Sequence, residues 1–193
     1  MVTSTPLEIP AVLLLHPFEA RDPRGWFREP YNREAFARCG IDEDFQQDLE
    51  TLSVRPGTVR GLHFQRPPFA QSKLVRVAEG AIFDVAVDLR VGSPTCGRHV
   101  GAELTVANGA QLYVPVGFAH GFMTLEPNTR VLYKISGRYA PDHATGYAWD
   151  DPDLAIPWPR ATTDAVLSDR DRALPYLRDV ASPFRLAAAA TST

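Results

Sequence analysis

An all-β fold is predicted by three features of this 193-residue chain: dense turn punctuation, a clear alternating segment, and few helix signals. Seventeen prolines and thirteen glycines cut the sequence into short stretches, as in an antiparallel sandwich or barrel. In Ala81–Leu89, Phe83, Val85, Val87 and Leu89 alternate with Ile82, Asp84, Ala86 and Asp88. One face is wholly apolar and the other mixed, the pattern of a strand with a single side on the core.

In chain order, Asn32–Cys39 is predicted to form a short helix, with Asn32 as its N-cap and Gly40 as its stop. Thr58–Gln65 has the β-branched and apolar content of a strand, yet carries Arg60, His63 and Gln65. Further strands are predicted over Lys73–Val77, Val100–Val106, Gln111–Val114, Phe118–Leu125 and Arg130–Ile135. Glu79-Gly80, Gly92-Ser93-Pro94, Asn108-Gly109, Pro115-Val116-Gly117 and Glu126-Pro127-Asn128 supply the turns between them. Ser168–Arg178 fits a second helix capped by Ser168 and interrupted by Pro175. Residues 182–193 are predicted to be a poorly ordered tail, fraying over the small and polar Ala187–Thr193. No repeat or compositional shift divides the chain, so residues 1–193 are predicted to be one domain.

Composition narrows the function. A net charge of −3 argues against general nucleic-acid binding, so an anionic ligand would need a local basic cluster. No apolar run reaches the roughly 18 residues of a membrane span, and the N-terminus lacks a signal-peptide pattern, which predicts a cytoplasmic protein. Cys39 and Cys96 lack metal-type spacing and are expected to be small, partly buried thiols.

The Thr58–Gln65 strand carries the most chemical information. Its imidazole, His63, titrates near neutrality and suits proton transfer, and Arg60 brings a planar cation suited to phosphate. Lys73, His120 (between Ala119 and Gly121), Tyr133 and the acids Asp169 and Asp171 are the other candidates. Singly, each has an ordinary explanation: a hydrogen-bonded core histidine, a packing tyrosine, a solubilising strand-end lysine, first-turn helix acids. Two histidines in a barrel also raise the question of a metal, but metal sites recruit ligands in close pairs such as His-x-His. Gly61 and Gln65 flank His63 at that spacing, and Phe118 and Phe122 flank His120, so no metal ligands are predicted.

Taken together, these segments resemble the dTDP-4-dehydrorhamnose 3,5-epimerases. The likeness runs through Arg24-Gly25-Trp26-Phe27-Arg28-Glu29, Arg60–Gln65, Ala70–Val77, Gly80–Arg90, Gly117–Phe122, Leu132-Tyr133-Lys134, Tyr139-Ala140-Pro141 and Trp149-Asp150-Asp151-Pro152. It spans residues 20 to 175 in one register. The resemblance implies a cupin jelly-roll β-barrel and cofactor-free, metal-independent epimerisation of a nucleotide-linked 4-keto sugar. His63 would be the base, oriented by Asp171, with Asp169 the alternative in the same turn. Lys73 and His120 would stabilise the enolate, Asp84 would orient His120, and Tyr133 would return a proton on the opposite face. Arg60 would contact the diphosphate, while Arg24, Phe27, Glu29, Gln47 and Tyr139 would hold the nucleotide. The family's Arg24 region reaches across a subunit interface, implying a homodimer.

This chain departs from the family at several positions. Where the family reads Gln-Asp-Asn-His-Ser, it has Gln47-Asp48-Leu49-Glu50-Thr51, and a leucine cannot make the hydrogen bonds of an amide. Trp26, Phe64 and Ala144 replace a usual Phe, Tyr and Glu. The chemical set is intact while the nucleotide-reading set is altered. An epimerase of one centre or of another nucleotide sugar, a cupin keto-isomerase, and a non-catalytic sugar-binding cupin are the competing readings.

Overall fold

Polar–apolar alternation and turn chemistry place thirteen strands and two short helices along the chain, in a computed structural model that describes residues 1–160 and 164–186. The strands are β1 (Thr3–Pro6), β2 (Leu13–His16), β3 (Phe18–Asp22), β4 (Gly25–Glu29), β5 (Phe45–Ser53), β6 (Val59–Gln65) and β7 (Lys73–Glu79). They continue with β8 (Ala81–Asp88), β9 (His99–Thr105), β10 (Gln111–Val114), β11 (Phe118–Thr124), β12 (Thr129–Ser136) and β13 (Ala144–Gly146). The helices are α1 (Arg33–Arg38) and α2 (Asp169–Arg172).

A six-stranded sheet, ordered β1-β2-β10-β7-β12-β5, packs on a five-stranded sheet, ordered β13-β6-β11-β8-β9. Every pairing within them is antiparallel, and neighbours are often distant in sequence, which is the jelly-roll arrangement implied by the resemblance. Val75, Val77, Ile82, Ala86, Val100, Leu104, Leu112, Val114, Phe118, Phe122 and Val131 fill the space between the sheets. Each large side chain sealed there contributes roughly 1.5–3 kcal/mol of burial. A core of that size lets the open end of the sandwich carry polar and charged groups.

Strand β8 differs from expectation in one respect. Both its faces are covered, because Leu62, Tyr147, Leu154 and Phe184 pack on the side turned away from the other sheet. That cluster covers Val85, Val87 and Leu89, so the mixed face is the one turned toward the other sheet, and Asp84 and Asp88 on it are fully buried rather than solvent-facing. Asp88 pairs with Arg90 and also accepts from the Ser93 and Thr95 hydroxyls. Burial alone would raise its pKa, but these donors hold it down at about 2.

Asn32 caps α1 through its side chain, which accepts from the Ala35 amide, and Phe36 anchors the helix against Leu15, Leu74 and Tyr113. Helix α2 is much shorter than the Ser168–Arg178 expected. Ser168 caps it as predicted, but the α-helix ends at Arg172, and the Pro175 carbonyl instead accepts a hydrogen bond from the Ala148 amide. The predicted disorder also begins too early. Phe184 is buried against Phe64, and Leu186 bonds back to Val91, so the chain is fixed to residue 186. Residues 187–193 of the predicted tail lie outside the described residues. Cys39 is partly buried as expected but Cys96 is exposed, in the turn between β8 and β9, and both thiols are free.

Candidate active site

Inward-facing positions of both sheets converge at one end of the sandwich. On β7, Lys73 shares its face with the core residues Val75 and Val77, and on β8 Asp84 shares its face with Ile82 and Ala86. His120 lies between Phe118 and Phe122 on β11, and Tyr133 follows Val131 on β12. His63 lies directly opposite His120 in the β6–β11 pairing.

Arg60 should by simple alternation point away from His63, since the two stand three positions apart. The register of β6 against β11 slips between the His63–His120 and Arg60–Phe122 pairs, and this brings both side chains inward. Glycines permit the slip. Gly61 has φ +142, and a Cβ there would collide with the Cα of Gly121 on the facing strand. Arg60 is then held by the Ser53 hydroxyl and the Leu52 carbonyl, each 3.2 Å away.

The result is a cavity of about 390 Å³ lined by Arg60, His63, Tyr133, Ser168, Arg170 and Asp171, among others. His63 Nε2 lies 2.8 Å from Asp171 Oδ1, while the imidazole side chain is 35% exposed and the carboxylate nearly closed off. The Asp171 backbone amide donates to Ser168 Oγ at 3.1 Å, and Gly61 N–H approaches Asp171 Oδ2 at 3.4 Å. Burial would raise the Asp171 pKa, but the bond and charge of His63, the Gly61 amide and Ser168 hold it below the ordinary carboxylate value. An ionised Asp171 accepts the proton on Nε2, which leaves Nδ1 as the basic nitrogen. Asp169, the other acid of that turn, is exposed and makes no such bond, so the alternative left open by sequence is decided by geometry.

Behind the imidazole, Lys73 Nζ donates to the His63 carbonyl at 3.2 Å, and burial, opposed by Asp84, lowers the lysine pKa to about 8. His120 Nε2 meets Asp84 Oδ1 at 2.7 Å. Burial, together with the charges of Lys73 and His63, lowers the His120 pKa against the pull of Asp84, favouring a neutral ring. Burial raises the Tyr133 pKa, with Arg60 opposing, so its hydroxyl keeps its proton at neutral pH. Among the described residues, no three His, Cys, Asp or Glu side chains converge as metal ligands would.

The candidate nucleotide-binding residues fall into two groups. Gln47 and Tyr139 meet each other, the Tyr139 amide donating to Gln47 Oε1 at 2.9 Å, while the neighbouring Ala140 amide donates to Gln65 Oε1 at 2.7 Å. Arg24, Phe27 and Glu29 belong instead to the β3–β4 hairpin, a separate two-stranded ribbon that lines none of this cavity. Phe27 is 66% exposed there beside an exposed Trp26. Arg28 fixes the base of the ribbon through Glu19 and the Val106 carbonyl. Arg170 is a cavity residue that sequence reading missed. Its signal was available, as a cation next to the candidate Asp171 in a helix with alternating charges.

A profile of the family described as dTDP-4-dehydrorhamnose 3,5-epimerase matches residues 6–179. A dTDP-4-dehydrorhamnose 3,5-epimerase of Sinorhizobium fredii is 51% identical over 179 residues, covering 93% of this chain and 91% of that protein. The crystal structure of the Bacillus anthracis dTDP-4-dehydrorhamnose 3,5-epimerase with TDP and PPi bound has a TM-score of 0.89 at 46% identity, covering 92% of this chain and all, 100%, of that one. A dTDP-6-deoxy-D-glucose-3,5-epimerase of Legionella pneumophila, in complex with dTDP-4-keto-L-rhamnose, has a TM-score of 0.92 at 36% identity and covers 97% of this chain and 100% of that one. With a matching profile over most of its length and relatives similar end to end, this chain belongs to the dTDP-4-dehydrorhamnose 3,5-epimerase family.

Proposed function

We propose that the chain inverts C3 and C5 of a nucleotide-linked 4-keto-6-deoxyhexose, converting dTDP-4-dehydro-6-deoxyglucose to dTDP-4-dehydrorhamnose. The observation that carries this reading is the presence of an Asp171-bonded imidazole on one sheet and a protonated phenol on the other, lining one cavity. Inversion through a planar enolate requires a base on one face and an acid on the other. His63 Nδ1 takes the proton from the carbon beside the ketone, the C–H electron pair forms a double bond from that carbon to C4, and the C4–O π pair moves onto the oxygen. The Lys73 ammonium and His120 stabilise the oxygen as it becomes negative. Tyr133 then delivers its proton to the opposite face, and solvent restores both groups. C3 and C5 both flank C4, so rotation of the sugar about its link to the diphosphate presents each in turn.

Arg60 and Arg170 hold the diphosphate at the cavity mouth. Gln47 and Tyr139 hold the nucleoside, with Tyr139 stacking on the base. The exposed Arg24, Phe27 and Glu29 complete this site in a partner subunit, making the protein a homodimer. No helix of the described residues is long and apolar enough to cross a membrane, and the enzyme acts in the cytoplasm.

The test is incubation with dTDP-4-keto-6-deoxyglucose in D2O, with deuterium located by NMR. Label at both C3 and C5 with inverted product is expected. Label at one carbon would make it a single-centre epimerase, and turnover only with another nucleotide would trace to Leu49 and its neighbours. No label with any nucleotide 4-keto sugar would refute the reading.

A further inference from the structure

Asp84 is fully buried, and only one of its carboxylate oxygens is engaged. Oδ1 meets His120, while Oδ2 is sealed from solvent and has no hydrogen-bond partner. Leaving a carboxylate oxygen bare in a dry interior is destabilising unless a positive group lies near. Orienting a neutral imidazole needs a single acceptor, which an asparagine amide would also provide. The second oxygen and the negative charge therefore call for another explanation.

Lys73 supplies one. It enters the same interior from the opposing sheet, and its ammonium has three donors, of which one is directed to the His63 carbonyl. Asp84 is the charge that favours its protonated form against burial. The other titratable groups facing this space are His120 from β11, His63 from β6 and Tyr133 from β12, with Arg60 beyond them. Asp171, the other nearby carboxylate, is engaged by His63.

We propose that Asp84 is a positioning residue serving both groups on the oxyanion side of the cavity: Oδ1 fixes the His120 ring, and Oδ2 is the resting counter-charge that keeps Lys73 an ammonium. The arrangement rests on the epimerase reading only for the identity of the oxygen Lys73 meets in the reaction. The pairing itself is a property of the free protein.

Lys73 and Lys134 are the chain's two lysines, so lysine labelled with 13C at Cε gives two NMR signals. Lys134, paired with Asp48 at 2.7 Å, serves as internal reference. In Asp84→Asn the Lys73 signal should titrate about one pH unit or more below wild type, with Lys134 unmoved. Asp84→Glu should recover most of the difference. A Lys73 titration unchanged in Asp84→Asn overturns the proposal. Should that variant not fold, wild-type protein labelled at Asp Cγ suffices. The Asp84 carbon should shift as Lys73 deprotonates and lose that shift in Lys73→Met, and a carbon that stays constant overturns the pairing. Both titrations omit substrate. A shifted Lys73 in a protein that fails the deuterium assay would refute the reaction and leave the pairing standing.

Discussion

Arg60 and His63 stand three residues apart on one strand and line the same cavity, because β6 slips by one residue against β11 between them. The slip depends on two glycines in close apposition. A Cβ on Gly121 would lie 3.0 Å from both the Arg60 carbonyl oxygen and the Gly61 Cα, and Gly61 occupies a backbone region that side chains disfavour. Gly61→Ala should therefore lose about 3 kcal/mol or more of stability, combining overpacking with backbone strain. Urea unfolding would measure this, and a loss below about 0.5 kcal/mol would mean that the strand adjusts without cost.

The slip also marks where sequence reading stops. Alternation identified β8 and β11, and an asparagine before a helical run identified α1, because those signals are local. It could not place Arg60 beside His63, since a period of two puts them on opposite faces. Strand β5 went unread because Phe45–Ser53 is an edge strand, mostly polar, whose outward residues answer to solvent rather than to a core. Strands β1, β3 and β4 are short and largely exposed, and β2 is a four-residue segment with three consecutive leucines, so none shows an apolar alternation to betray it. The contact of His63 with Asp171 joins positions 108 residues apart, and only the resemblance singled out Asp171 for it.

Asp171→Asn should lower kcat by roughly 100-fold or more with a small change in KM, because an amide stabilises the wrong imidazole tautomer and cannot balance the imidazolium. Asp169→Asn, altering an exposed acid in the same helical turn, should leave both constants near wild type. Steady-state kinetics on the two variants separates a dyad from a general effect of charge near the cavity. Equal losses would remove Asp171 from its special role.

Lys73 gives activity and stability opposite responses to alkali. In the proposed mechanism the ammonium faces the enolate oxygen, so kcat/KM should fall as pH rises through about 8. Tyr133, whose pKa is raised by burial, does not set that limit. For stability, the folded lysine releases its proton before the unfolded one, whose ordinary value is 10.5. Between those values the unfolded chain binds more protons, so the Lys73 contribution to stability increases with pH. Urea unfolding compared between wild type and Lys73→Met should show this difference growing across that window in favour of wild type. A difference independent of pH would mean that Lys73 titrates alike in both states.

A site shared between subunits makes a prediction that a self-contained site cannot. Phe27 is exposed on the β3–β4 ribbon, outside the cavity of its own chain, whereas His63 lies within it. Phe27→Ala should raise KM strongly while leaving stability within about 0.5 kcal/mol, since an exposed ring anchors nothing in its own fold. His63→Asn should abolish turnover. When the two impaired variants are unfolded together, refolded at equal concentration and assayed at substrate well below the raised KM, half of the dimers should be mixed. In each mixed dimer, the Phe27→Ala subunit keeps its own His63 and receives an intact Phe27 from its partner. One of its two sites is thus complete, and activity should return to about a quarter of wild type. If Phe27 served its own subunit's site, every mixed dimer would carry two damaged sites and refolding would recover nothing.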